Sequence, residues 1–181
     1  MKRWSGIART VALAAALGLE AGPVLAQPSP MTGMHRPMAQ HHAGEDPAFH
    51  DDMHLVHAML RVHAKIKRVV THLPDGILTV TESDDPEVAQ LINAHVASME
   101  RRLAEGRVFN LFSATLPVLF ANRHKILTVV ERSATGSTVR QTTSDPAVVA
   151  ALQAHAGEVS ELARDGMAAM MRHMKDRRAR H

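Results

Sequence analysis

The sequence predicts an α+β fold: a duplicated α-β-β-α unit in which two hairpins form one four-stranded antiparallel sheet, with helices packed on it. Three observations predict it. First, residues sixty apart repeat: Lys65-Ile66 with Lys125-Ile126, Val69-Val70 with Val129-Val130, Gly76 with Gly136, Asp85-Pro86 with Asp145-Pro146, Val88 with Val148, Ala94-His95 with Ala154-His155, and Gly106 with Gly166. These are 11 identities over the 42 positions from 65 to 106. Ordinary composition gives roughly a quarter as many by chance, so a duplication explains the match better than coincidence. Second, each copy carries two β-type runs around a turn. Third, each then opens a helix at Asp-Pro. Two copies are too few for a solenoid, which needs about three or more. One pseudo-two-fold domain over 49–175 follows, with repeats 49–106 and 109–166; Phe49 against Phe109 marks the early edge.

Taken in order, the chain opens with Lys2, Arg3 and Arg9, an apolar run from Thr10 to Leu19, and Gly22-Pro23-Val24-Leu25-Ala26. A basic start, a short apolar core and small residues at the end read as a secretory signal peptide over 1–26, cut after Ala26. The run is too short to span a bilayer. The expected location is periplasmic or secreted. Residues 27–48 are rich in Pro and Gly and read as a disordered arm.

Asp51 or Asp52 is the candidate cap of a helix running to about Lys65, with Met53, Val56, Leu60 and His63 on one stripe. Ile66 to Thr81 reads as a hairpin, because Pro74-Asp75-Gly76 supplies turn chemistry between β-type runs. Asp85 is the expected N-cap of the next helix and Pro86 its first residue, where a missing N–H costs nothing. That helix runs to about Glu105 and stops at Gly106. In the second half, Leu111 to Phe120 suggest an apolar helix that tolerates Pro117 only in its first turn. Ile126–Val130 and Val139–Thr143 make the second hairpin. Asp145-Pro146 opens a last helix continuing to about Lys175, with Met167, Met170, Met171 and Met174 as an adaptable core stripe. Residues 176–181 form a basic tail, a candidate for weak contact with anionic lipid.

Composition narrows the chemistry. There is no cysteine, so an exported form has no disulfides, no covalently attached c-type haem and no thiolate metal ligands. The net charge of +3 falls to about +1 when Lys2, Arg3, Arg9 and Glu20 leave with the signal, which gives no support to nucleic-acid binding. There is no Tyr, and the one Trp lies in the signal segment, so an aromatic platform for bases or sugars is not expected. No Gly-rich phosphate loop, Gly-x-Ser-x-Gly or His-Glu-x-x-His occurs, and an enzyme is the least supported class.

The candidate site rests on histidines placed where apolar residues belong. His95 shares a stripe with Val88, Leu91, Ile92 and Met99, and His155 shares the matching one with Val148, Ala151, Leu152 and Val159. His63 ends the stripe of the first helix. A buried imidazole without partners costs about 1–3 kcal/mol, so each of the three calls for a hydrogen bond, a metal or a haem iron. His50, His54 and His57, at i, i+4 and i+7, form a second row that could grip a metal from one helix face. In the arm, Met34, His35, Met38, His41 and His42 offer thioether and imidazole donors, a set that suits copper. The leading expectation is therefore a periplasmic metal-binding protein, with copper stored, delivered or tolerated through the histidines of the duplicated helices. The alternatives are a b-type haem protein with His axial ligands, and a non-catalytic interaction module, with a periplasmic partner protein, whose histidines only complete the core.

The two copies of hairpin, Ser83-Asp84-Asp85-Pro86 with Ala94-His95, and Ser144-Asp145-Pro146 with Ala154-His155, resemble a group of small secreted bacterial proteins that share this pattern. The resemblance covers most of 50–170 and implies no reaction. The second copy is one acidic residue short. The Met/His arm is also similar to those of periplasmic metal-resistance proteins, but those are helical hairpins and the β segments here argue against that fold.

Overall fold

The computed structural model describes Asp46, residues 48–110 and residues 112–179. The expected signal peptide over 1–26 and the arm donors Met34, His35, Met38, His41 and His42 lie outside the described residues. The fold is α+β. Helix α1 (Ala48–Arg61) leads through a 3₁₀ turn (His63–Lys65) into strands β1 (Lys67–Leu73) and β2 (Gly76–Glu82) and helix α2 (Pro86–Glu105). Helix α3 (Leu116–Ala121), a second 3₁₀ turn (Arg123–Lys125), β3 (Leu127–Arg132), β4 (Gly136–Thr142) and α4 (Pro146–Asp165) repeat that order, and α5 (Met167–Arg178) follows.

The sheet is antiparallel throughout, in the order β1-β2-β4-β3, so the second strand of each hairpin lies at the centre. In the first hairpin Leu73 pairs with Gly76 across the two residues Pro74 and Asp75. At the central seam Gly76 stands opposite Thr142 and Gly136 opposite Glu82. A Cβ on Gly76 would lie 1.9 Å from the Gln141 carbonyl oxygen, and one on Gly136 would lie 2.1 Å from that of Thr81. Only a residue without a side chain lets the hairpins meet so closely, which explains the glycine at both positions.

Both long helices start as capping chemistry requires. Asp85 Oδ1 accepts the Glu87 N–H at 3.0 Å, and Asp145 Oδ1 accepts the Ala147 N–H at 3.0 Å. Such caps contribute roughly 0.5–2 kcal/mol. The other carboxylate oxygen binds the lysine that leads into the hairpin, Lys65 at 2.7 Å and Lys125 at 2.8 Å. These lysines, reinforced by the cap N–H bonds, hold both carboxyls below the usual range.

The helices cross over between halves. α4 packs on β1 and β2, whereas α2 packs mainly on β4. Asn93 on α2 donates to the Ser133 carbonyl at 2.9 Å and accepts from Ser137 Oγ at 2.5 Å. Gln153, sixty residues on, donates to the Leu73 carbonyl at 3.1 Å. Two apolar clusters result. One joins Val56 and Leu60 of α1 to Phe109, Phe112, Phe120 and Met170; the other joins Ile77 to Leu119, Val148, Leu152 and Ala156. Each fully buried aliphatic side chain contributes about 1.5–3 kcal/mol.

The structure corrects three sequence expectations. The first helix begins at Ala48, so neither Asp51 nor Asp52 caps it. The Asp46 carbonyl accepts the Phe49 N–H at 3.0 Å, and Asp52 is buried in an ion pair with Arg102. The apolar helix of the second half starts only at Leu116, which puts Pro117 in its first turn. The last helix breaks at Gly166, whose φ of 57° and ψ of −132° leave the helical region. Of the methionine stripe beyond that break, Met170 is buried and Met174 packs against the first cluster, while Met167 and Met171 are exposed. Among the described residues no helix is long and apolar enough to cross a membrane.

Candidate functional site

A cavity of about 260 Å³ lies between the inner face of the sheet and the helices. Strand alternation sends Arg68 of β1, Thr79 and Thr81 of β2, and Val139 and Gln141 of β4 to its floor. The helices supply apolar walls such as Ile92, Leu119 and Phe120. The three histidines predicted from the core stripes, His63, His95 and His155, all line this one space. They reach it from different elements: the 3₁₀ turn after α1, the middle of α2 and the middle of α4.

Their environments differ. His95 is half-buried, but its Nδ1 is sealed from solvent and has no hydrogen-bond partner. Burial pushes its imidazole from the ordinary 6.5 down to about 4, against the pull of Asp52, with the nearby His155 and Arg68 adding to the fall. The ring is therefore neutral at pH 7. His63 Nδ1 is likewise sealed and unpartnered. The His63 ring packs against the α4–α5 junction, where a Cβ on Gly166 would stand 2.4 Å from Cδ2.

His155 is fixed by a polar cluster. Its Nδ1 lies 3.1 Å from Thr115 Oγ1 and 3.6 Å from Glu158 Oε2. Glu158 also accepts from Ser113 Oγ at 2.5 Å, Thr115 Oγ1 at 2.8 Å and the Ala114 N–H at 3.0 Å. Burial works against an ionised Glu158, but the adjacent His155 ring and the bonds from Ser113, Thr115 and the Ala114 N–H outweigh it and hold the carboxyl at about 2. The carboxylate can only accept, so Thr115 spends its one hydroxyl proton there. Its lone pair then accepts from His155 Nδ1–H. In the neutral imidazole this sets the tautomer with the proton on Nδ1 and the lone pair on Nε2, the arrangement in which histidine serves as a ligand or as a hydrogen-bond acceptor.

Arg68 is the residue that the sequence reading missed. It lies inward on an edge strand, opposite Thr81. Nη1 donates to Thr81 Oγ1 at 2.6 Å, while Nε is buried without a partner. Burial lowers its guanidinium to about 10, so it stays charged at neutral pH. The alternation of Arg68 with Val70, two positions on, was the available signal: a cation on the face that the hairpin buries. Glu158 had a weaker one, its place one helical turn after His155.

The remaining expected ligands do not gather here. His54 is exposed, His57 is half-buried, and neither lines the cavity. Among the described residues no three His, Asp or Glu side chains stand close enough together to hold a metal ion. Size bears on haem. A dry cavity of about 150 Å³ takes one benzene, so the space here suits roughly ten heavy atoms by simple proportion. A haem macrocycle is several times larger and would require the helices to part from the sheet.

Comparison of the chain with family models, curated proteins and solved structures finds no match.

Proposed function

We propose that this chain is an exported, non-catalytic binding protein that holds a small ligand in the cavity between sheet and helices. One observation carries the reading. Three histidines and an arginine, drawn from four separate elements, converge on one mostly apolar space, and only His155 among them is tied into a polar cluster of the core. A purely structural interior satisfies its buried polar groups; the wall of this cavity keeps two imidazole nitrogens and one guanidinium nitrogen unpartnered. Few polar groups set in an apolar hollow is the general pattern of small-molecule sites.

The test is native mass spectrometry of the exported protein, followed by thermal denaturation with small amphipathic probes. A ligand at a hundred times its Kd adds about 2.7 kcal/mol of stability. Val159→Phe, which narrows the cavity, should abolish both the bound mass and the stabilisation. A ligand-free protein that no probe stabilises would overturn the proposal.

A second reading keeps copper. Met59 and Met99 line the same cavity as His63, His95 and His155, giving thioether and imidazole donors together. The positive charge of Arg68 opposes a bare cation there. In this reading the ion draws further ligands from Met34, His35, Met38, His41 and His42. Titration with Cu(I) of the full chain, and of a form lacking 27–48, separates the two: sub-micromolar binding lost with the arm supports copper, and its absence removes this reading.

A further inference from the structure

Within the binding reading above, we propose that the ligand is a small monocarboxylic acid with an apolar body, and that Arg68 is the residue that holds its carboxylate. The chain contains its own control for what a structural buried arginine looks like. Arg102 is wholly buried, and its guanidinium is neutralised by two carboxylates, Asp52 and Asp46, the latter at 2.6 Å. Arg68 has no such partner: among the described residues no carboxylate stands within ion-pairing distance of it, and one hydroxyl is its only side-chain acceptor. The two acidic residues that line the cavity are committed elsewhere. Glu158 is bound by Ser113, Thr115 and the Ala114 N–H, and Glu100 pairs with Arg132 at 2.6 Å. Arg68 is half-buried with its Nε sealed from solvent. A charge so far withdrawn from water is stabilised by a paired, hydrogen-bonded counter-ion, and none of the described residues supplies one, which points to a counter-ion from outside the chain.

The fold itself does not require a cation at this place. The positions sixty residues on from Arg68 and Thr81 are Thr128 and Gln141, and there a neutral bond, Gln141 Nε2 to Thr128 Oγ1 at 3.2 Å, does the same cross-strand job. The guanidinium is thus an addition confined to one half of the domain, and it faces the cavity. Arginine's planar fork matches a carboxylate in bidentate fashion. The apolar walls formed by Ile92, Leu119 and Phe120 exclude a bare inorganic oxyanion as the whole ligand and select one with a hydrocarbon body. The volume suits roughly ten heavy atoms, scaling from the benzene-sized cavity.

Octanoate, with its uncharged analogue octanamide, makes the test. Isothermal titration of the full chain should show octanoate binding at least tenfold more tightly than octanamide. Arg68→Gln should remove that preference, by weakening octanoate binding at least tenfold more than octanamide binding. The double change Arg68→Thr with Thr81→Gln reproduces the neutral pair of the other half and should fold, bind octanamide and lose the preference likewise. Equal binding of acid and amide by the unaltered protein, or an acid preference that survives in the double variant, overturns the assignment to Arg68 while the cavity reading stands. Binding of neither probe, with no stabilisation by any other, overturns both.

Discussion

Asp52 on α1 and Arg102 on α2 form an ion pair in which the guanidinium is completely buried and the carboxylate nearly so. Ser98 donates to the other oxygen of Asp52, and the Arg102 guanidinium lies over the Phe109 ring at 5.3 Å. This pair fastens the first helix, and with it the turn bearing His63, to the helix that bears His95.

Breaking the pair is costly because it leaves the buried Arg102 Nε and the Ser98 hydroxyl without their acceptor and Asp46 as the one remaining carboxylate on the guanidinium. Asp52→Ala should lower stability by about 3–5 kcal/mol in urea denaturation. The double replacement Asp52→Leu with Arg102→Met, apolar on both sides, should recover most of that loss. A single variant within 1 kcal/mol of the parent, on the order of a surface pair, would show the pair to be incidental.

His95 makes stability depend on pH. Between about 4 and 6.5 the unfolded chain takes up a proton at this ring and the folded one does not. The contribution is therefore present above pH 6.5 and is lost as pH falls toward 4, by an amount on the order of 1–3 kcal/mol. Asp52 favours protonation, while His155 and Arg68 oppose it. Denaturation at pH 7.5 and pH 4.5 should show a smaller difference in His95→Gln than in the parent. Parallel pH profiles would mean the ring titrates normally.

Thr115 fixes the tautomer of His155, so Thr115→Val should weaken that control without emptying the cavity. Nitrogen-15 spectra of the histidine ring should show a neutral Nδ1–H form in the parent and a shift toward Nε2–H in the variant. An unchanged spectrum would transfer the role to Glu158 alone.

Gly76→Ala and Gly136→Ala should each cost about 1–3 kcal/mol or more, because the added methyl group meets a carbonyl oxygen of the facing strand. The two variants should behave alike in chemical denaturation, since the two glycines sit symmetrically at the β2–β4 seam. A neutral result at either one would mean that the seam opens freely.

Much of this architecture was readable because it is written locally. Asp85-Pro86 and Asp145-Pro146 are complete capping signals, and Pro74-Asp75-Gly76 carries its turn within three residues. The stripes that put His95 and His155 toward the interior follow from helical period alone, and both residues do line the cavity. What escaped the reading depends on distant partners. Asp52 looks like a cap until Arg102, fifty residues on, is seen to neutralise it. Gly166 looks like the end of a helix or a defect within one, and only the packing of Leu60 and His63 against it shows why the chain turns there. Arg68 reads as an ordinary strand cation unless β1 is known to face the helices. The hairpin order, β1-β2-β4-β3, has no local signature at all.

The exchange of helices between the hairpins has a consequence for how the chain matures. α2 finds its seat on a strand made some thirty residues later, and α4 returns to strands made some seventy residues earlier. A fragment stopped at Arg107 would keep α2 against α1 but leave its sheet-facing side without the strand that covers it, and would seek that surface on another copy. Closure of the domain must therefore wait until α4 has been made, because only then is the face of β1 and β2 covered.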